Sequence, residues 1–200
     1  MTVSIYLAHL NPVTNAHVEI IEELKNESDV KVIPVIFQKN GNEVNSRSFP
    51  FSFEIRKQML ESVFGDSIDV LKNYAFNAPF FTYLPPLISP KSWELRKQIL
   101  KGIPEDYFTY TGDKAEGYML KIYCLNPKIG ERKSVSASSV KDKMYDEAKG
   151  KKTSWAQDVP PKVLDIIKQN WNIVEKYANS KDETTRVVGM KFPKEGYWSK

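Results

Sequence analysis

Both histidines of this 200-residue chain, His9 and His17, fall within one stretch, LAHLNPVTNAH, at residues 7–17. Between them lie Asn11-Pro12 and, just before His17, Thr14-Asn15. The apolar run VSIYLA (3–8) leads into this stretch, and NAHVEIIEELK (15–25), with Val18, Ile21 and Leu24 at helical spacing, leads out of it. The spacing predicts a strand, a short connection and a helix. His17 then falls in the first helical turn, beside backbone N–H groups that have no intrahelical partner. Such a turn favours an anion: the free donors and the helix dipole attract a phosphate, and a histidine there can donate a hydrogen bond to a phosphate oxygen. Taken singly these residues have plainer explanations, since Thr is a good helix cap and Asn-Pro a common turn. Their combination points to phosphate chemistry.

Holding this turn in place requires a scaffold, and the rest of the chain supplies an alternation of strands and helices. VKVIPVIF (30–37) reads as the second strand of a βαβ unit with parallel strands and a right-handed crossover. FSFEIRKQMLESVFG (51–65) reads as a helix ending at Gly65, SIDVLK (67–72) as a strand, SPKSWELRKQILKGI (89–103) as a helix and DYFTYTG (106–112) as a strand. Further helices are expected over 114–123, over 135–149 behind a group of serines, and over 160–177 behind two prolines. This pattern implies an α/β fold, a Rossmann-like open, mostly parallel sheet with helices on both faces and a ligand site beyond the carboxyl ends of the strands. Residues 38–50, polar and turn-rich, and residues 73–90, with four prolines among aromatic residues, read as long loops. One domain over 1–178 and a polar tail over 179–200 are expected.

Hydrophobic residues make up 41% and charged residues 27% of the chain, which excludes a disordered or low-complexity protein. The formal charge of +4, from 29 Lys and Arg against 25 Asp and Glu, is too small to indicate a nucleic-acid or membrane surface and suits a small anionic ligand equally well. A single cysteine, Cys124, cannot form an internal disulfide, and the start of the chain lacks the features of a secretory signal. No apolar run approaches the roughly 20 residues of a membrane span. A cytoplasmic protein is expected, with a homo-oligomer as an open possibility.

The stretch AHLNPVTNAH resembles the signature of the nucleotidyltransferase superfamily that carries an H/T-x-G-H motif after its first strand, and most resembles the nicotinamide mononucleotide adenylyltransferase form, N-P-x-T-N-x-H. Ala8 stands for the motif glycine, Leu10 for the aromatic residue, Thr14 for the first His or Thr, and His17 for the invariant histidine; Ala16 replaces the second glycine, and His9 occupies a variable position. A second match lies downstream, where VSASSVK (135–141) resembles the family's I-S-S-T-x-x-R at a helix start, with Ser136 and Ser138 matching its hydroxyls and Lys141 replacing its Arg. That replacement keeps the charge and loses the planar fork that binds phosphate bidentately. RSFPFSFEIRKQML (47–60) looks like the family's helix after the second strand, and Gly112-Asp113 stands where relatives turn a loop toward the nucleotide.

The resemblance implies transfer of a nucleoside monophosphate to a phosphate-bearing acceptor by in-line attack on the α-phosphate, with release of pyrophosphate and without a covalent intermediate. His17, Thr14 and Lys141 would then be catalytic. The implied nucleotide contacts are Ala8, His9, Leu10, Asn11, Thr14, His17, Gly112, Asp113, Ser136, Ser138 and Ser139, and Lys39, Arg47 and Trp93 are expected on the acceptor side. Mg²⁺ is implied as a companion of the phosphates, with no protein side chain as its ligand. ATP is favoured over CTP and nicotinamide mononucleotide as acceptor; pantetheine phosphate, flavin mononucleotide and small alcohol phosphates stay open. So does a non-catalytic nucleotide binder, given the changes at Ala8, Ala16 and Lys141.

Overall fold

A computed structural model describes residues 2–112, 114–131, 133–187 and 190–199. In chain order its elements are β1 (Val3–Ala8), α1 (Asn15–Lys25), β2 (Asp29–Pro34), β3 (Ile36–Lys39), β4 (Asn42–Glu43), α2 (Phe53–Phe64), β5 (Asp69–Val70), β6 (Ala75–Asn77), α3 (Pro90–Ile99), β7 (Tyr107–Thr111), α4 (Lys114–Ile122), β8 (Pro127–Ile129), α5 (Ala137–Ala148), α6 (Pro161–Gln169), α7 (Trp171–Ala178), β9 (Thr184–Val187) and β10 (Met190–Pro193). Five of the strands form one parallel sheet in the order β5-β2-β1-β7-β8. The order reverses at β1, whose neighbours are β2 and β7, so the connections after β1 and β7 leave in opposite directions and open a crevice at the carboxyl ends.

Strand periodicity sorts β1 onto two cores. Val3, Ile5 and Leu7 point to one face of the sheet, where Leu95 and Ile99 of α3 and Leu120 of α4 cover them, and Tyr6 points to the other. On that second face Ile20, Ile21 and Leu24 of α1 pack with apolar residues of α2, α5, α6 and α7. The α/β expectation, with helices on both faces, is met. Among the described residues no helix is long and apolar enough to cross a membrane.

Several boundaries differ from those the sequence suggests. The run VKVIPVIF is two strands: β2 ends at Pro34, and β3 joins a second, three-stranded sheet, β4-β3-β6. Residues 38–50 therefore carry a β3–β4 hairpin rather than one long loop. Residues 73–90 likewise hold β6 and a 3₁₀ turn over Phe80–Tyr83, and Phe76, Phe80 and Tyr83 are buried rather than displayed. The helix expected over 160–177 is broken at Asn170, and β8, an edge strand of three residues, had no counterpart in the sequence reading.

The described residues after Ala178 pack onto the body. β9 and β10 form an antiparallel hairpin, and Phe192 is 1% exposed among Phe37, Phe76 and Phe80. The Phe80 and Phe81 N–H groups donate to the carbonyls of Gly196 and Tyr197 at 2.9 and 3.1 Å. Gly196 has φ +78°, and a Cβ there would stand 3.1 Å from both Ala78 and Phe80, so this crossing requires glycine.

Candidate active site

The connection from β1 to α1 is tied down along its length. Leu10 takes φ +51°, which costs a branched residue energy, and anchors that turn by burying its side chain to 1% exposure. Asn11, also buried, donates from Nδ2 to the Phe51 carbonyl at 2.8 Å and accepts at Oδ1 from the Phe51 N–H at 3.1 Å. Two buried cations grip the loop's carbonyls. Arg56 of α2 donates from Nη1 to the carbonyls of His9 and Val35, both at 2.8 Å, while its Nη2 pairs with Glu43 at 2.9 Å. Lys141 of α5 donates from Nζ to the Asn11 carbonyl at 2.8 Å. Asn11→Ala strands a donor and an acceptor of Phe51 and is expected to cost about 2–3 kcal/mol, read as a lowered urea midpoint.

His17 is the third residue of α1 and half-buried. Its Nδ1 accepts a hydrogen bond from the Thr14 N–H at 3.0 Å, with the Thr14 hydroxyl 3.1 Å away, as in the back-reaching half of a capping box. Nδ1 is thus an acceptor, and the proton of the neutral ring resides on Nε2, the far edge of the imidazole. Burial, helped by the Lys141 charge, lowers the His17 pKa to about 4 and keeps the ring neutral. Among the described residues the N–H groups of Asn15 and Ala16, which open α1, have no hydrogen-bond partner. The arrangement offers an anion two backbone donors and one imidazole N–H.

The other expected residues take varied positions. Thr14 is fully buried, with its hydroxyl beside the imidazole at 3.1 Å from Nδ1. The His9 ring stacks on Phe49 at 4.7 Å and near Phe37 at 6.2 Å, and burial, with the charges of Arg56, Lys141 and Lys191, lowers its pKa to about 3; it is an aromatic packing element. Ser136 caps α5 by accepting from the Ser139 N–H at 3.2 Å, and Ser136, Ser138 and Ser139 are exposed in the first turn. Lys141, at 9% exposure, lies one turn further in; burial above all lowers its pKa to about 8, and its ammonium serves Asn11 rather than solvent. Ala8 closes β1 with its carbonyl bound to the Val35 N–H, and Gly112 follows β7 directly; Asp113 lies outside the described residues.

On the acceptor side, Arg47 donates to the carbonyls of Tyr177 and Ala178 at 2.6 and 2.7 Å, capping α7, and lies over the Tyr145 ring. It lines a concavity of about 360 Å³ between residues 44–47, Tyr177, Ser180 and Pro193, whose rim residue Glu195 stands 3.7 Å from Lys39. Trp93 is elsewhere: it donates to the Leu87 carbonyl and packs edge-on against Tyr123, beside the Cys124 carbonyl that the Tyr107 hydroxyl reaches from the amino end of β7. The sequence reading missed Arg56 and Glu43. A signal for Arg56 was present, since it occupies a core position in the helical spacing Phe53, Arg56, Leu60, Phe64.

No family model and no curated protein matches the chain. Solved structures do. A bifunctional NMN adenylyltransferase/ADP ribose pyrophosphatase from Francisella tularensis superposes with a TM-score of 0.65 at 20% identity, over 88% of this chain and 52% of that one. The same protein complexed with AMP and a Mn ion gives 0.62 at 19% identity over the same shares. A putative nicotinate-nucleotide adenylyltransferase from Vibrio parahaemolyticus gives 0.53 at 11% identity, over 88% of this chain and 97% of that one. The chain spans about half the length of the bifunctional protein. What it shares with these adenylyltransferases is the fold, which in this chain is a Rossmann-like sheet with its reversal at β1.

Proposed function

We propose that this chain is a nucleotidyltransferase that moves a nucleoside monophosphate, AMP from ATP in the favoured case, to a phosphate-bearing acceptor such as nicotinamide mononucleotide or its acid form, with release of pyrophosphate. The observation that carries this reading is His17: a neutral imidazole with its proton on Nε2, set in the first turn of α1 at the sheet's switch point. The fold it shares with NMN and nicotinate-nucleotide adenylyltransferases adds support.

In this mechanism an acceptor phosphate oxygen attacks the α-phosphate while the bond to the β-phosphate breaks. The chain's part is to position and to stabilise charge. His17 donates to an α-phosphoryl oxygen, the Asn15 and Ala16 N–H groups add to the field there, and Ser136, Ser138 and Ser139 receive the leaving pyrophosphate at the start of α5. Lys141 supplies charge at short range and, through the Asn11 carbonyl, the shape of the loop. A divalent cation would enter as part of the nucleotide substrate, MgATP, carried by phosphates and water. The Francisella protein's complex with AMP and a Mn ion fits this pairing.

The test is pyrophosphate release from MgATP or MgCTP against a panel of acceptors: nicotinamide and nicotinate mononucleotides, pantetheine phosphate, flavin mononucleotide and small alcohol phosphates. Release with ATP and a pyridine mononucleotide is the expected result. Nucleotide binding without release from any pair would identify a non-catalytic binder instead.

A further inference from the structure

The C-terminal hairpin brings a cation to the site that no part of the mechanism above uses. Lys191, on β10, donates from Nζ to the Ser48 hydroxyl at 3.0 Å and stands 3.4 Å from Asp182 Oδ2. The Ser48 hydroxyl in turn lies 3.0 and 3.2 Å from the two Asp182 carboxylate oxygens. The hairpin is anchored: Phe192, the next residue, is buried among aromatic rings, and the Lys194 N–H donates to the Glu183 carbonyl at 2.9 Å. Ser48 is buried and adjoins Phe49, whose ring stacks on His9, so Lys191 stands across Ser48 from the loop that leads to His17. Its charge is felt there, opposing protonation of both His9 and Lys141.

A second cation whose charge reaches the buried Lys141 is disfavoured unless an anion accompanies it. In the free protein that anion is Asp182, but the pair is loose. Its 3.4 Å separation exceeds the roughly 2.7–2.9 Å of a charge-assisted hydrogen bond, and the two side chains are 35% and 42% exposed. A surface pair of that kind is worth little and is easily exchanged. Asp182 holds three donors, the Lys191 ammonium and the hydroxyls of Ser48 and, at 3.1 Å, Thr184; the ammonium and the Ser48 hydroxyl are those a phosphate monoester takes.

We propose that Lys191 and Ser48 bind the phosphate of the acceptor, and that Asp182 occupies their donors while the acceptor is absent. This inference rests on the reading of the acceptor as phosphate-bearing. It separates the two halves of the reaction by location, with the nucleotide on the first turns of α1 and α5 and the acceptor phosphate on the hairpin side of the loop.

Steady-state kinetics on the full chain test it through two variants of opposite expected sign. Lys191→Ala raises the acceptor KM about tenfold, the usual loss for one hydrogen bond to a charged group, and leaves the ATP KM unchanged. Asp182→Asn keeps the Ser48 partner but removes the competing charge, and lowers the acceptor KM. A merely structural ion pair would move both variants the same way; an acceptor KM raised in both, or unchanged in Lys191→Ala, overturns the proposal. Titration with inorganic phosphate, followed by ³¹P NMR, separates this inference from the proposed activity. If the wild type turns over no acceptor yet binds phosphate more tightly than Lys191→Ala, the anion site stands and the transferase reading falls. Equal phosphate binding by the two proteins overturns the site.

Discussion

Replacing His17 with alanine is expected to reduce turnover by about 10²- to 10³-fold, the usual effect of removing one transition-state donor, in a chain that still folds. The fold survives because the imidazole's structural contribution is one accepted bond from the Thr14 N–H. Its loss costs about 1 kcal/mol, as for other helix caps, which circular dichroism and urea unfolding would register as a small shift. The same residue sets the acid limb of the pH profile. With a pKa lowered to about 4, His17 stays neutral where an ordinary histidine, near 6.5, would already be charged. The rate is therefore expected to show no His17 inflection between pH 6 and 7 and to fall only as pH approaches about 4, where protonation removes the acceptor facing Thr14. The stability sign follows from the same shift. Between those two values the unfolded chain binds the extra proton, so stability declines as pH falls through that window, and His17→Ala flattens part of the decline. Undiminished turnover in this variant would rule out the proposed role.

Arg56→Ala is expected to destabilise the chain by about 3–5 kcal/mol, the cost of breaking a buried ion pair from one side. The guanidinium is 2% exposed and makes three kinds of bond at once: to the His9 and Val35 carbonyls, to the Ser52 carbonyl at 3.3 Å, and to Glu43. Glu43 also accepts from the Phe53 N–H at 2.7 Å, so it holds both ends of the pair to the start of α2. Removing the arginine leaves a carboxylate at 19% exposure without its cation and two strand-end carbonyls without a donor. Domains of this size are typically stable by about 5–15 kcal/mol, so the variant should lie near the edge of folding at room temperature. Changing Glu43 to leucine along with Arg56 to methionine should cost less than Arg56→Ala alone, because no unpaired charge remains. A urea midpoint for Arg56→Ala within error of wild type would show that the loop does not depend on this grip.

How far such features can be read from sequence depends on whether their partners are local. The strand, turn and helix around His17 are legible because periodicity, a cap residue and an apolar stripe sit within 23 consecutive residues, 3–25. The second sheet is not, because β3 pairs Ile36–Gln38 with Ala75–Asn77 across most of 40 residues, in strands too short to carry a pattern. Pro34 was the available warning, since proline interrupts a strand ladder. At Lys141 the sequence supplies a cation at the start of a helix and nothing about its target; a lysine aimed at a phosphate and one aimed at the Asn11 carbonyl read alike. Arg56 is harder still, since its partners are backbone atoms of His9, Val35 and Ser52 and the side chain of Glu43. Trp93 illustrates the converse: an aromatic residue suited to stacking on a flat ring, spent on Tyr123 and the Leu87 carbonyl.

The bond from the Thr14 N–H to His17 Nδ1 bears on reversibility. A donor that keeps its proton serves the α-phosphoryl oxygens alike whichever oxygen is arriving and whichever is leaving. Under the proposed reaction the imidazole has nothing to reset between turnovers, and synthesis and pyrophosphorolysis run through one protein state. Direction, as for any catalyst, would belong to mass action: hydrolysis of pyrophosphate would favour product, and its accumulation would favour the reverse. With no proton in flight at His17, replacing H₂O by D₂O should leave the rate of the chemical step nearly unchanged.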